Sequence, residues 1–165
     1  MDSNLITKIQ LVAQPITSEN FQPFGQVIWA TDNNKPYDSQ DAQLSLEKGT
    51  PRLYIMGLPH RGRNFHVISR HSECTQCLGA LGGKDWLIAV APPCQESQPS
   101  VELIQAFHIP GNCFIKLEVG TWHAGPYFDH EYVDFYNLEL ADTNFADFFT
   151  HDFLDINHLE FELVN

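Results

Sequence analysis

Residues 117–127 read LEVGTWHAGPY. Just upstream, FIKLEV (residues 114–119) alternates apolar and polar side chains, the pattern of a strand with one solvated face. The alternation stops at Gly120-Thr121-Trp122-His123, and Gly125-Pro126 follows at once. Taken as one strand from Cys113 to His123, the period of two puts Val119, Thr121 and His123 on one face and Trp122 on the other. His123 is then either a pocket residue at a strand end or a hydrogen-bonded core histidine beside a tryptophan. The spacing alone leaves both open.

Outward from this stretch the chain is punctuated by short strand signals. They cover residues 8–12, 25–29, 52–58, 65–69, 78–81, 86–91, 101–107, 113–119 and 132–140. Many short strands at a spacing of about 8–12 residues predict a β-sandwich or small barrel. GGKD, residues 82–85, lies between two apolar runs and predicts a hairpin connection. Thr17 or Ser18 can cap one helical turn before Pro23. Residues 32–50 are polar and turn-rich and predict a long loop. In NFADFFTHDFL, Phe145, Phe148, Phe149 and Phe153 fall at helical spacing and predict one short amphipathic helix packed on the barrel. LEFELV then alternates as a final strand, with Leu159, Phe161 and Leu163 on one face. The expected organisation is one domain over residues 1–165, with residues 142–165 forming the helix and last strand.

Composition narrows the function classes. With 43% hydrophobic residues the 165-residue chain can bury a sizeable core. Its 21 acidic and 9 basic residues give a net charge of -12, which argues against nucleic-acid binding. No apolar leader is read in residues 1–10 and no 18-residue apolar run occurs, so the expectation is a cytoplasmic protein away from membranes. Its four cysteines are then reduced. Cys74 and Cys77 form a lone C-x-x-C with His71 nearby. A zinc site would need a fourth ligand and usually a second pair, and buried free cysteine is the ordinary alternative.

Of eight histidines, His60, His130, His151 and His158 sit in polar or turn-like contexts and are expected to be exposed. His66 and His108 lie in strands, facing outward. His71 follows a strand in which Val67, Ser69 and His71 share a face. If His71 and His123 both point inward from neighbouring strands, they share one pocket near the barrel mouth.

At these residues the sequence resembles the small cupin barrels. There a His-x-His is followed after four residues by Glu, and a second motif carries Gly-x-x-His. The first motif's positions here are Ser69, His71 and Gln76; the second's is Gly120 to His123. More closely, the chain is similar to the ureidoglycolate lyase family. FQPFGQVI (21–28), RHSECTQ (70–76), WLIAVAPP (86–93), LIQAFHIPG (103–111), TWHAGP (121–126) and VDFYNLEL (133–140) follow the family's order over roughly residues 6 to 140. The resemblance implies an all-β-dominated, cupin-like small barrel or double-sheet jelly roll with one or two short helices. It implies cleavage of ureidoglycolate to glyoxylate and urea in purine-nitrogen catabolism, and a homodimer. His71 and His123 would be catalytic, and Gln76, Ser69 and Thr121 would bind substrate. One divalent metal, if present, would sit on His71, Gln76 and His123.

The chain also departs from the family pattern. Ala124 replaces a second histidine and Ser69 replaces a glutamate. Glu139-Leu140 stands where the family has Asp-Arg, and residues 32–50 lack a clear match to an upstream Arg-containing segment. These departures motivate an alternative, a non-catalytic or retargeted cupin binding another small hydroxy or keto acid. A third reading, an interaction protein, rests only on the Phe-rich tail.

Overall fold

The computed structural model describes residues 5–165, so the reading of residues 1–10 lies partly outside it. In chain order the elements are β1 (Thr7–Pro15), α1 (Ser18–Phe21), β2 (Gly25–Trp29), β3 (Pro51–Pro59), β4 (Asn64–Phe65), β5 (Val67–Arg70), β6 (Gln76–Ala80) and β7 (Gly83–Ala91). After a 3-10 turn (Val101–Leu103) come β8 (Gln105–Gly111), β9 (Cys113–Leu117), β10 (Trp122–Tyr127), β11 (Tyr132–Leu140), α2 (Thr143–Ala146), β12 (Phe149–Asp152), α3 (Phe153–Asn157) and β13 (Leu159–Val164). The strands form two sheets. The larger runs β12-β5-β10-β7-β8-β1-β13-β4 and the smaller β2-β9-β6-β11-β3. The all-β, double-sheet expectation is what the chain adopts, with three helices of one turn or little more.

Side-chain alternation explains the layering. In β7, Trp86, Ile88 and Val90 enter the core between the sheets, where they join Phe107, Ile115, Leu117 and Phe135. Leu87, Ala89 and Ala91 enter a second core with Ile68, Trp122, Phe161 and Leu163. A strand buried on both faces must be apolar throughout, and WLIAVA is. The second core lies within the larger sheet's own curl. β4 and β5 stand near opposite ends of that sheet but are separated only by His66, so the sheet must bend round on itself. Thr17 caps α1 through a reciprocal pair with Asn20 (3.1 and 2.8 Å). The cap aims Phe21 and Phe24 at Phe107, with ring centroids 5.2 and 5.6 Å away. Each fully buried ring contributes roughly 2–3 kcal/mol of transfer free energy. Residues 32–50 form the expected loop. Gln26 holds it through the carbonyls of Ser39 and Asp41 and the backbone N–H of Gln43.

Several expectations are corrected. GGKD is not a hairpin: β6 belongs to the smaller sheet and β7 to the larger, so residues 81–83 carry the chain between sheets. Gly82 and Gly83 supply the positive φ values, 73° and 69°, for that crossing. Residues 101–107 begin as a 3-10 turn and are extended only from Gln105. The strand at 65–69 breaks at His66 into β4 and β5. The Phe-rich tail is not one amphipathic helix. Phe145 is 87% exposed, and β12 separates α2 from α3. The reason is Asp152, whose carboxylate accepts from the N–H groups of Leu154 and Asp155 and starts a new helix. Phe153 alone of the four phenylalanines is buried, against Phe161. His151 is buried, not exposed, because its ring packs edge-on to Phe153 and bonds Asn157 (2.8 Å). β13 alternates as expected, with Phe161 and Leu163 inside.

Candidate active site

The stretch from Leu117 to Tyr127 spans two sheets. β9 ends at Leu117, so His123 does not end the strand from Cys113. It is the second residue of β10, in the other sheet. Between them Glu118–Thr121 forms a turn closed by Thr121 N–H donating to Glu118 O (3.0 Å), with Gly120 at φ 83°. Three bonds pin this turn. Thr121 Oγ1 and Glu118 N–H both donate to Phe24 O (2.8 and 2.9 Å), and Gly120 N–H donates to His71 O (2.7 Å). The turn therefore delivers His123 beside His71.

His123 pairs with Ser69 across β10 and β5, and with Val90 of β7, so all three face the gap between the sheets. His71, two residues beyond Ser69, turns the same way, and the two imidazole centroids are 5.1 Å apart. A small void is bounded by His71, Cys74, Gln76, Thr121 and His123, with Leu117 and Glu118 at its edge; it leaves no room for a water-sized sphere. Of the residues predicted from sequence, His71, Gln76, Thr121 and His123 meet there. Ser69 shares their face but does not line the void. Thr121 spends its hydroxyl on Phe24 O.

The imidazoles have defined partners. His71 Nδ1 lies 2.7 Å from the carbonyl of Asp147. A carbonyl only accepts, so Nδ1 carries the proton and Nε2 keeps the lone pair. His123 Nδ1 makes a longer bond to Thr121 O (3.3 Å). Burial, aided by the like charge of His71, pushes the His123 pKa down to about 4. His123 is thus neutral at pH 7.

The segment from Thr143 to Phe148 covers this end of the interior. Asp147 is buried, and its carboxylate accepts from the N–H groups of Ser72 and Glu73, both at 2.8 Å. Thr143 Oγ1 lies 3.5 Å from Cys74 Sγ, and the Phe148 ring sits 5.8 Å from that of His71. This strap packs against two residues that line the void, Cys74 and His71. The two thiols of the C-x-x-C part company: Cys74 lines the void, whereas Cys77 lies buried on the other face of β6 beside Lys116, where burial pushes its thiol up to about 11.

Sequence reasoning missed a polar network behind Gln76. Gln76 Nε2 donates to Asn137 Oδ1 (3.1 Å) and to Glu139 Oε2 (3.2 Å). Glu139 Oε1 accepts from Tyr54 OH (2.9 Å) and Asn144 Nδ2 (3.1 Å), and Asn137 Nδ2 reaches Tyr54 OH (3.1 Å). The signal was present in β11: Val133, Phe135, Asn137 and Glu139 share the inner face, so its chemistry turns from apolar to polar along one strand. Ala124 faces the second core, away from His123. Replacement of a second histidine at that position therefore removes nothing from the face that carries His71 and His123. Elsewhere His108 and His130 both bond Asp85 (2.7 and 2.9 Å), and His66 bonds Asp152 (3.0 Å).

The three residues named for a metal carry no charge of their own, so carboxylates or waters would have to complete a divalent cation's shell. His71, Gln76 and His123 are two neutral imidazoles and a neutral amide, which leave a divalent cation uncompensated. Among the described residues no three His, Cys, Asp or Glu side chains are grouped to hold a metal ion. Also among the described residues, no helix is long and apolar enough to cross a membrane.

Comparison with known proteins adds an independent line. The model of the ureidoglycolate lyase family matches residues 8–155. A Ureidoglycolate lyase of Schizosaccharomyces pombe is 25% identical over 145 residues, covering 70% of this chain and 76% of the relative. One from Pseudomonas savastanoi pv. phaseolicola is 27% identical over 128 residues, covering 69% and 73%. Among solved structures, a mutant of Bacillus subtilis oxalate decarboxylase overlaps with a TM-score of 0.43 at 15% identity, covering 87% of this chain and 31% of that one. RmlC from Streptococcus suis overlaps with 0.40 at 11% identity, covering 56% and 44%. The fold described above stands on strand order and not on these loose overlaps.

Proposed function

Because the chain belongs to the ureidoglycolate lyase family, we propose that it cleaves ureidoglycolate to glyoxylate and urea by histidine acid–base chemistry at the His71–His123 pair. The supporting observation is that pair itself, 5.1 Å apart between centroids and turned to one void. The reaction breaks a carbon–nitrogen bond. The hydroxyl of the carbinolamide loses a proton as its oxygen becomes the aldehyde carbonyl, and the departing ureido nitrogen gains one. No net proton is consumed, so one imidazole can take the first and return it to nitrogen. His71 has the tautomer for this, with Nδ1–H held by Asp147 O and a lone pair at Nε2. His123, desolvated and repelled by a charged His71, stays neutral at pH 7.

The test is glyoxylate release from ureidoglycolate by the purified protein. His71→Ala and His123→Ala are each expected to lose about a hundredfold or more in kcat. A wild-type protein that releases no glyoxylate refutes the reading. The departures at Ser69, Ala124 and Glu139-Leu140 favour a second reading, a binder of another small hydroxy or keto acid. That reading fails if no such acid raises Tm. The proposal extends to a cytoplasmic homodimer. β3 is a sheet edge with Leu53 and Ile55 exposed, which a second copy would cover. Light scattering that finds a monomer at micromolar concentration refutes it.

A further inference from the structure

Two costly features meet in one amide. Glu139 is 1% exposed, yet its hydrogen-bond donors are all uncharged: Tyr54 OH, Asn144 Nδ2 and Gln76 Nε2. No ion pair found among the described residues includes it. Gln76 is 8% exposed, and its Oε1 is buried without a partner. A buried carboxylate without a cation and a buried acceptor without a donor are each unfavourable, and folding alone rewards neither.

The network explains how they are related. An ionised carboxylate only accepts, so Glu139 dictates every donor around it. Tyr54 must give its O–H to Glu139, and its oxygen then accepts from Asn137 Nδ2. Asn137 is thereby oriented with Oδ1 toward Gln76. Gln76 must turn Nε2 to both Asn137 and Glu139, and Oε1 is the polar atom left for the void it lines with His71 and His123. With both imidazoles neutral, that void offers acceptors: Gln76 Oε1 and imidazole nitrogens whose Nδ1–H groups are committed to backbone carbonyls. A carboxylate would find there only the weak S–H donor of Cys74. An N–H-rich group finds acceptors.

We propose that Glu139 is a positioning residue that acts through Gln76, fixing Oε1 as the acceptor for the N–H groups at the ureido end of the substrate. The inference takes its ligand from the lyase reading above and adds the orientation: the ureido end, not the carboxylate end, lies against Gln76. In Glu139→Gln the directing charge is gone. An amide N–H₂ at residue 139 facing Gln76 Nε2 would set donor against donor, and the Gln76 amide would reverse. Gln76→Met removes the acceptor at similar volume.

The experiment is a double-mutant cycle on binding, by calorimetry, with N-carbamoylglycine as probe. It carries the ureido and carboxylate ends without the hydroxyl needed for cleavage. Glycolate, which has no ureido end, is the control, and unfolding curves confirm that each variant is folded. Glu139→Gln and Gln76→Met are each expected to weaken N-carbamoylglycine by about tenfold or more, the double variant no further, and glycolate binding is expected to stay put. Unchanged binding in either single variant, multiplying effects in the double, an equal loss for glycolate, or a wild type that does not bind N-carbamoylglycine each overturns it. Coupled binding without ureidoglycolate cleavage would refute the lyase reading and leave this inference standing. Cleavage with uncoupled variants would do the reverse.

Discussion

Lowering the pH should destabilise this protein through His123 before its carboxylates begin to titrate. Burial holds the folded-state pKa of His123 at about 4, against about 6.5 in an unfolded chain. The folded state therefore binds fewer protons than the unfolded state between those values. Stability from this residue is complete above about pH 6.5 and is lost as pH falls toward 4. From the two pKa values, the loss between pH 7 and pH 4.5 is on the order of 2 kcal/mol. The carboxylates of Asp85, Asp129 and Asp152 are held below their ordinary value, Asp85 by His108 and His130, Asp129 by Arg63, and Asp152 by His66. Their contribution is also lost as pH falls, but lower down, at and below the ordinary carboxylate range. The assay is urea unfolding of wild type and His123→Leu at pH 7 and 4.5. The wild type should lose on the order of 2 kcal/mol more than the variant over that interval. Equal losses in the two proteins refute the reasoning, because burial of His123 would then be perturbing no proton equilibrium.

The strap gives two further predictions. Asp147→Ala leaves the N–H groups of Ser72 and Glu73 without acceptors, and should cost about 2–4 kcal/mol in urea unfolding, with Asp147→Asn recovering part of it. A loss below about 0.5 kcal/mol would mean that water replaces the carboxylate freely. Thr143→Cys places a second thiol against Cys74. Oxidation should tie the strap down and lower kcat/KM for ureidoglycolate by about tenfold or more, with recovery on reduction. Full activity in the oxidised protein, with the disulfide verified by mass, would show that substrate enters without moving this segment.

Where side chains alternate along one strand, the sequence was legible. Residues 25–29 and 132–140 are strands as read, and LEFELV buries the face that its alternation marks. Legibility failed where a partner is remote. Gly82-Gly83 has the chemistry of a hairpin, and only the sheet membership of β6 and β7 shows that it is a crossing. The Phe-rich tail has helical spacing, but Asp152 restarts the helix and β12 finds β5 far back in the chain, so pairing overrides period. Asp147 could not be recognised from its neighbours in sequence, because the N–H groups it holds lie at residues 72 and 73.

The site shows the same division and carries a more general point. His71 and His123 were reachable through the family resemblance, because alternation left both readings open and His123 arrives by a turn between sheets and not along one strand. Ser69, chosen as a position where relatives carry glutamate, obeys the same alternation but stops short of the void. Alternation selects a face; it does not select a depth. Depth is set by which end of the interior is polar, and that is written in β11, where Val133 and Phe135 give way to Asn137 and Glu139 on one face. Glu139 stands at one of the positions where the chain departs from its family's pattern, yet it keeps a carboxylate on the inner face, tied to Gln76 at 3.2 Å. The void itself meets an amide, and the charge stands one hydrogen bond behind it. Gln76, which keeps the family's residue, and Glu139, which departs from it, are in the fold one connected arrangement. They need to be varied together, which is why a double-mutant cycle and not a single substitution decides what this site binds.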